Sequence, residues 1–304
     1  MTALSLALTL LVLEPADEPA QKSLFRPEMF QTLVDPDCSY CHVESKRAGE
    51  SLRPADRVLA WIRGQHDGGA IPYRFFLVPH RVISDSYGVF VYDPDADFVR
   101  GWPPSYDFRF HGWRNGVMVM SHKDGTLFDC LTGKAFDGPR KGEQLQPLPT
   151  LETNWGPWLK ANPGTVAYTM KPQFTPVDLP TAVLAESRQT RPQPDGRLDP
   201  DERVFGLSIG GESCAWPLKS LGAERRVLSV SLGGERAALM WEPATKTAVA
   251  FAQETEAKLP QQVHIERVDP SNPEAPFVDS DTHSHWSTTG RCLAGERKGQ
   301  SLRW

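Results

Sequence analysis

The chain has 304 residues, of which 39% are hydrophobic and 23% charged, with a formal net charge of −5 at pH 7. These proportions indicate one large or two modest folded domains and exclude disordered, collagen-like and coiled-coil proteins. The 33 basic and 38 acidic residues provide no excess of positive charge for binding nucleic acid or an anionic membrane surface, so neither is expected as a partner.

Residues 1–20 have the features of a secretory signal peptide. An apolar run from Leu4 to Leu13 is followed by a polar stretch, and this length suits a signal-peptide core but is too short to span a bilayer. The residues before the run include no Lys or Arg, so a buried N-terminal strand is the alternative. We expect export to the periplasm or the extracellular space, with no stable membrane span after signal removal.

A short motif with defined chemistry lies in the N-terminal extension formed by residues 21–54. Cys38, Cys41 and His42 match the C-x-x-C-H pattern of covalent c-type haem attachment, in which the histidine becomes an iron ligand. Two other interpretations stay open: a reactive or structural disulfide between the cysteines, and a zinc or copper site. The motif predicts a cofactor-binding or redox site. The alternatives for the cofactor are haem c, zinc, copper and none. If the site transfers electrons, a redox partner is also expected.

The remaining sequence predicts a mainly β protein, of the α+β type with few short helices. The 27 prolines and 24 glycines favour many short elements joined by turns. Segments rich in β-branched and aromatic residues, such as residues 89–92, 117–120 and 227–232, predict strands. One helix is predicted from Asn154 to Ala161, with Asn154 as its cap.

Two sets of related motifs occupy residues 55–185 and residues 203–304. Arg57 and Arg203 each open an apolar segment that reaches a proline 15 and 14 residues later. Three glycines and a leucine then recur with identical spacing, at Gly133, Gly138, Gly142 and Leu145 and at Gly290, Gly295, Gly299 and Leu302. We expect two related β-rich halves packed about a pseudo-two-fold axis and joined by the polar, proline-containing linker of residues 186–202.

Together these motifs resemble the family known as domain of unknown function 3179. The resemblance rests on the segment from Met120 to Phe128, the glycines that follow it, Trp155, and second-copy segments that begin at Gly210 and at Trp286. It extends roughly from Arg57 to the C-terminus. It implies a bacterial or archaeal two-copy protein without an assigned activity, so it indicates a fold more directly than a function.

One segment departs from that family's pattern. The family carries Tyr-Cys-Pro-x-Cys, which suggests thiol redox or soft-metal binding, whereas residues 92–96 read Tyr-Asp-Pro-Asp-Ala. A carboxylate suits a harder metal, so His80 and Asp93 form a candidate metal site; the alternative is a lost site in which His80 is structural. A further hypothesis is that Cys38 and Cys41 fold back beside Asp93 to replace the missing thiols.

The other motifs predict less. Near the C-terminus, every second residue is an aspartate or a histidine: Asp279, Asp281, His283 and His285. On a strand, these four side chains would share one face and could bind a metal. A solvated turn is the favoured alternative. Cys130, Cys214 and Cys292 are predicted to be small buried hydrophobic residues. No catalytic residue is predicted.

The sequence therefore favours an exported protein with a redox or metal- or haem-binding role at Cys38, Cys41 and His42. The alternative function is a non-catalytic extracytoplasmic binding or scaffold module, in which a Cys38–Cys41 disulfide is only structural.

Overall fold

The computed structural model of the protein describes residues 32–34, 42–44, 52–63, 67–73, 81–93, 95–168, 188–194 and 196–304. These residues form a mainly β structure, which confirms the predicted fold class. None of the helices found in these ranges is long and apolar enough to cross a membrane.

The strands of the first part of the chain are β1 (Leu33–Val34), β2 (His42–Glu44), β3 (Arg57–Arg63), β4 (Asp67–Pro72), β5 (Val82–Ser84), β6 (Val89–Asp93), β7 (Phe98–Trp102), β8 (Phe108–Arg114), β9 (Val117–His122), β10 (Leu127–Asp129), β11 (Ala135–Asp137), β12 (Thr150–Asn154) and β13 (Val166–Tyr168). Those of the second part are β14 (Val204–Ile209), β15 (Glu212–Pro217), β16 (Arg226–Leu232), β17 (Glu235–Glu242), β18 (Thr247–Ala252), β19 (Ile265–Val268), β20 (Phe277–Asp279), β21 (His285–Trp286) and β22 (Cys292–Ala294).

The predicted helix is present as α1 (Trp155–Ala161). It buries Trp155 and Trp158, which accounts for its stability despite its short length. Asn154 precedes the helix, but its side chain makes no capping hydrogen bond, so the predicted capping role is wrong. The predicted strand segments 89–92, 117–120 and 227–232 lie in β6, β9 and β16 and are confirmed.

The first part of the chain has three layers of sheet. A five-stranded sheet has the order β12-β3-β4-β13-β2, a second sheet the order β1-β5-β6-β7, and a third the order β8-β9-β10-β11. In the middle layer, Phe90 and Tyr92 pack in the core shared with the first sheet, whereas Val89 and Val91 pack in the core shared with the third. Because side chains alternate along a strand, this sandwiched position explains why all five residues of β6 are buried.

The second part repeats this layering. Hairpin β14–β15, meander β16–β17–β18 and meander β19–β20–β21–β22 follow each other in the same order as their counterparts. Leu239 and Trp241 of β17 pack in one core cluster, and Ala238 and Met240 pack in the other. The middle strand of each part is therefore sandwiched in the same way.

Strand register also agrees between the two sets of motifs. Val58 pairs with Pro72 in the first hairpin, and Val204 pairs with Pro217 in the second. The two segments with identically spaced glycines also end in the same hydrogen bond. Leu145 donates its backbone N–H to Gly133 O at 3.0 Å, and Leu302 donates to Gly290 O at 2.8 Å. These agreements support the predicted repeat, while the packing of two halves about a pseudo-two-fold axis stays a prediction.

The arginines that open the two sets of motifs meet at one network of charges. The Arg57 guanidinium contacts Glu152 and lies 3.6 Å from Asp97, while Arg203 lies 2.5 Å from Asp97 and 3.5 Å from Glu152. Asp97 adopts a left-handed conformation with φ of 53°, which aspartate tolerates better than most residues. Arg57 and Arg203 thus share the same two carboxylates.

Candidate functional site

The structure describes only the borders of the segment that contains the C-x-x-C-H motif. Cys38 and Cys41 lie outside the described residues, and His42 opens strand β2. Before the motif, Val34 pairs in parallel with Ser84 of β5; after it, His42 pairs with Tyr168 of β13. The motif is therefore bordered by strands that belong to two different sheets.

A buried polar pair lies next to both borders. Asp85 directly follows Ser84, and its carboxylate accepts a hydrogen bond from the hydroxyl of Tyr168, the residue that pairs with His42. The same carboxylate accepts the backbone N–H groups of Tyr87 at 2.6 Å and Gly88 at 3.3 Å. A buried carboxylate needs such donors, so Asp85 ties the Tyr168 strand to the turn after β5.

Aromatic rings surround this pair. Trp61 lies with its ring centroid 4.2 Å from that of Phe90 and 6.0 Å from that of Tyr168. Leu33, in the strand before the motif, belongs to the same core cluster. The strand before the motif and Tyr168, which pairs with the strand after it, therefore both pack in the aromatic core between the first two sheets.

Asp93, the described half of the candidate metal site, lies at the end of β6 and is fully buried. Its Oδ1 accepts backbone N–H bonds from Asp95 at 3.0 Å and Ala96 at 3.2 Å, and its Oδ2 accepts one from Met118 at 3.0 Å. The first two bonds close the turn after β6, and the third joins the middle sheet to β9. Asp93 thus has a structural role that sequence alone did not predict.

Burial dominates the ionisation of Asp93. It raises the pKa of Asp93 to about 6, although the backbone hydrogen bonds from Ala96 and Met118 act in the opposite direction. His80, its predicted partner, lies outside the described residues. Within the described ranges, no three His, Cys, Asp or Glu side chains are grouped to hold a metal ion. A site formed by His80 and Asp93 therefore stays a prediction.

An arginine accompanies the acidic residue that ends the middle strand of each part; Arg81 is buried and Arg225 is partly exposed. Arg81 precedes β5, and burial lowers its pKa while the charges of Asp95 and Asp93 raise it. In the second repeat, Arg225 precedes β16 and contacts Glu242, which ends β17 and accepts the N–H of Ala244 at 3.1 Å. Asp93 and Glu242 therefore each end the middle strand of their part close to an arginine.

Three of the four alternating residues near the C-terminus, Asp279, Asp281 and His285, have separate partners. Residues 280–284 form the turn between β20 and β21, as the favoured prediction stated. Asp279 accepts the indole N–H of Trp286 at 2.8 Å, Asp281 contacts His264 at 3.0 Å, and His285 lies 3.9 Å from Asp269. Each of these side chains thus faces a different partner, which argues against a shared metal site.

A histidine–aspartate contact occurs in both copies. His122 Nδ1 lies 3.0 Å from Asp124 Oδ1, and its Nε2 lies 3.7 Å from Asp107, which also contacts Lys123 Nζ at 2.8 Å. Hydrogen bonds from Thr126 and then from His122 lower the pKa of Asp124 to about 2. Sequence reasoning missed this cluster, because Asp107 approaches His122 only through the pairing of β8 with β9.

In the second part, His264 contacts Asp281, whereas the residues at the matching positions of the first part, Asp107 and Asp124, each contact His122 instead. His264 precedes β19 as Asp107 precedes β8, and Asp281 follows β20 as Asp124 follows β9. The registers agree, because Phe108 pairs with His122 and Ile265 pairs with Asp279. A search for charged residues at matching repeat positions is the sequence signal that could have found this pair.

The three described cysteines differ in exposure. Cys130 and Cys292 are buried, as predicted, and burial raises the pKa of Cys292 to about 11. Cys214 is an exposed free thiol on β15, so its predicted burial is wrong. The cause is the two-stranded β14–β15 hairpin, whose outward-facing residues remain uncovered by the other described strands.

Comparison with known proteins identifies a family. The family model of the proteins of unknown function termed DUF3179 matches residues 106–303, about two thirds of the chain and a region that lies after the C-x-x-C-H motif. No curated protein and no solved structure matches the chain. The chain belongs to the DUF3179 family of proteins of unknown function.

Proposed function

We propose that the protein is exported and has a redox or metal- or haem-binding role at Cys38, Cys41 and His42. The observation that supports this role is that strands hold both borders of the motif, through the pairs Val34–Ser84 and His42–Tyr168. A segment fixed at both ends loses less conformational entropy when it closes a binding site. Anchoring of this kind suits a site that must hold ligands in a defined geometry.

The chemistry follows from the residue types. Two cysteines separated by two residues can give up two electrons and two protons to a partner disulfide, which is reduced to two thiols. The same thiolates with the imidazole of His42 can bind zinc or copper. The three residues also fit covalent haem attachment, with His42 as an iron ligand.

This role is a property of the N-terminal extension rather than of the family match. Residues 106–303 carry the match, and the motif precedes them. The role is therefore expected to be lost when the cysteines are replaced while the fold of residues 106–303 is retained. Its separation from the matched region makes a clean test possible.

The test uses the full chain expressed with its own N-terminus and purified after export. A Soret absorbance band and a haem stain that survives denaturation indicate haem, bound zinc or copper indicates the metal site, and reversible two-electron reduction indicates a redox dithiol. The variant Cys38→Ser/Cys41→Ser should abolish the signal, while Cys214→Ser, which removes an exposed thiol, should retain it.

The alternative function predicts a different outcome. A colourless, metal-free protein whose disulfide does not exchange with a dithiol reductant under native conditions would contradict the proposal. That result supports the non-catalytic extracytoplasmic module with a structural disulfide. Recovery of the protein only from the cytoplasm would contradict export independently of the cofactor result.

A further inference from the structure

A cavity of about 230 Å³ lies against the sheet β19–β22, remote in sequence from the C-x-x-C-H motif. Its wall includes Arg267, Asp269, Pro270, Val278, His283 and His285. Phe277 and Trp286 pack in the core, and side chains alternate along a strand, so Val278 and His285 point to the opposite face of the sheet. The cavity is therefore built on rigid strands rather than on a loop alone.

Three adjacent strands place their side chains in one row across this face. Arg267 pairs with Val278, and Val278 pairs with His285. Directly paired residues point to the same side, and neighbouring strands lie about 5 Å apart, so the Cα atoms of Arg267 and His285 are about 10 Å apart. The side chains of the arginine and the histidine can therefore reach one ligand from opposite sides of Val278.

The basic side chains that line the cavity have N–H groups available to hydrogen-bond a ligand. His285 Nδ1 lies 3.2 Å from the carbonyl oxygen of Ala275 and 3.4 Å from the side-chain amide nitrogen of Asn272. In the tautomer in which Nδ1 accepts from the Asn272 amide, Nε2 carries the proton and can donate to a ligand. Among the described residues, neither Arg267 nor His283 has a hydrogen-bond partner for its side chain. His283 also has a left-handed backbone with φ of 54°, a conformation that costs energy for a histidine.

The first repeat provides an internal comparison. Its corresponding row consists of Arg109, Ser121 and Leu127, which pair across β8, β9 and β10. There the arginine is occupied, because Arg109 Nη1 donates to the carbonyl oxygens of Tyr106 at 2.6 Å and Phe108 at 2.8 Å. The fold therefore tolerates a row in which the histidine is absent and the guanidinium is hydrogen-bonded to the backbone, so the histidine and the free N–H donors of Arg267 in the second repeat call for a separate explanation.

The charges in the cavity favour an anion over a metal cation. Arg267, His283 and His285 offer N–H donors, and the guanidinium of Arg267 repels a cation. Asp269 is the single acidic residue in the cavity wall, and its Oδ1 is occupied by the N–H and the hydroxyl of Ser271 at 2.9 and 2.6 Å. Its Oδ2 lies 3.9 Å from His285 Nδ1, and the negative charge of this carboxylate partly offsets the positive charge of Arg267.

We propose that this cavity binds a small oxyanion, a carboxylate or phosphate group, between Arg267 and the imidazoles of His283 and His285. A planar guanidinium donates two parallel hydrogen bonds to such a group, and each imidazole adds one donor. The site is independent of the proposed role of the N-terminal motif.

The test is a titration of the full chain with inorganic phosphate and, separately, with citrate, at constant ionic strength set with chloride. Saturable shifts of the imidazole ¹⁵N resonances of His283 and His285 are expected with at least one of the two ligands. Saturation by phosphate alone assigns the phosphate class, and saturation by citrate alone assigns the carboxylate class. Absence of saturable shifts with both ligands overturns the proposal.

Variants separate binding from nonspecific charge effects. Arg267→Gln is expected to weaken binding at least tenfold, whereas Asp269→Asn, which removes the acidic group, is expected to strengthen it. His264→Gln is the control, because its imidazole contacts Asp281 beside the same sheet and does not line the cavity. Equal affinity in Arg267→Gln and His264→Gln, with circular dichroism showing both folded, contradicts the proposal, as does zinc binding that competes with phosphate.

Discussion

Replacement of Asp93 by asparagine tests whether Asp93 acts as a buried carboxyl or as a metal ligand. Burial raises the pKa of Asp93 from 3.8 to about 6, so the folded protein holds this proton more tightly than the unfolded chain. The resulting contribution to the free energy of unfolding is complete below the unfolded pKa and is lost as the pH rises through the folded pKa. For a shift of about two units it amounts to about 3 kcal/mol, of which about 2 kcal/mol is lost between about pH 4.5 and pH 8.

The Asp93→Asn variant lacks this titration. An asparagine has one side-chain oxygen instead of two, so its NH₂ group would face the N–H of Met118 in place of Oδ2. The loss of this hydrogen bond lowers the free energy of unfolding by about 1–3 kcal/mol at every pH. Relative to wild type, the variant should therefore gain about 2 kcal/mol between about pH 4.5 and pH 8. Urea unfolding at several pH values measures this difference, with Asp137→Asn as a control because Asp137 is an exposed residue at the end of β11.

A difference between variant and wild type that is constant with pH, or that changes in the opposite direction, refutes the reasoning from burial. Metal addition separates the two roles of Asp93. A metal held by His80 and Asp93 binds the ionised carboxylate, so it should stabilise wild type at pH 8 and leave Asp93→Asn unchanged. If added zinc or magnesium has no such effect, the predicted metal site is wrong.

Two further predictions concern packing and thiol exposure. Gly133 has φ of 72° and an added Cβ would lie 2.6 Å from the ring of Trp102, so Gly133→Ala should cost about 2–5 kcal/mol in urea unfolding. Gly142→Ala should cost only about 1–2 kcal/mol, since φ is 93° but no atom lies within 4 Å; equal losses would contradict the role of the ring. Cys214 should react with a thiol reagent in the native protein and Cys130 only after unfolding, and rapid native labelling of Cys130 would disprove its burial.

The strands were predictable because local composition and layer position agree. The segment 89–92 is rich in β-branched and aromatic residues, and it becomes a strand buried on both faces. The recurring glycines were also predictable as turn residues, because glycine favours positive φ. Gly133 and Gly290 both adopt it, with values of 72° and 75°. In these regions, local chain preferences and the tertiary structure require the same conformation.

The roles of charged side chains were less predictable, because they depend on long-range register. Asp93 contacts Met118, and Arg203 contacts Asp97, across separations that no local motif encodes. Cys214 was predicted to be buried from its apolar neighbours, but its strand belongs to an exposed hairpin. Burial depends on which layer covers a strand, and the sequence of the strand alone does not specify that layer.

The candidate redox and oxyanion sites also differ in whether a local motif or the strand register reveals them. Cys38, Cys41 and His42 form a local motif, so sequence alone identifies them. Arg267 and His285 are brought together by pairing through Val278, so their proximity required the strand register. Sites assembled across a sheet become visible only once its strand order is known.

The most direct test of the proposed function is the cofactor content and thiol state of the exported full chain, compared with Cys38→Ser/Cys41→Ser. Absorbance, metal analysis and intact mass under denaturing conditions report haem, zinc or copper, and the oxidation state of the two cysteines on one sample. The account predicts covalent haem, a bound metal or a reversibly reducible disulfide that is absent from the double variant. A wild-type protein with none of these would contradict it.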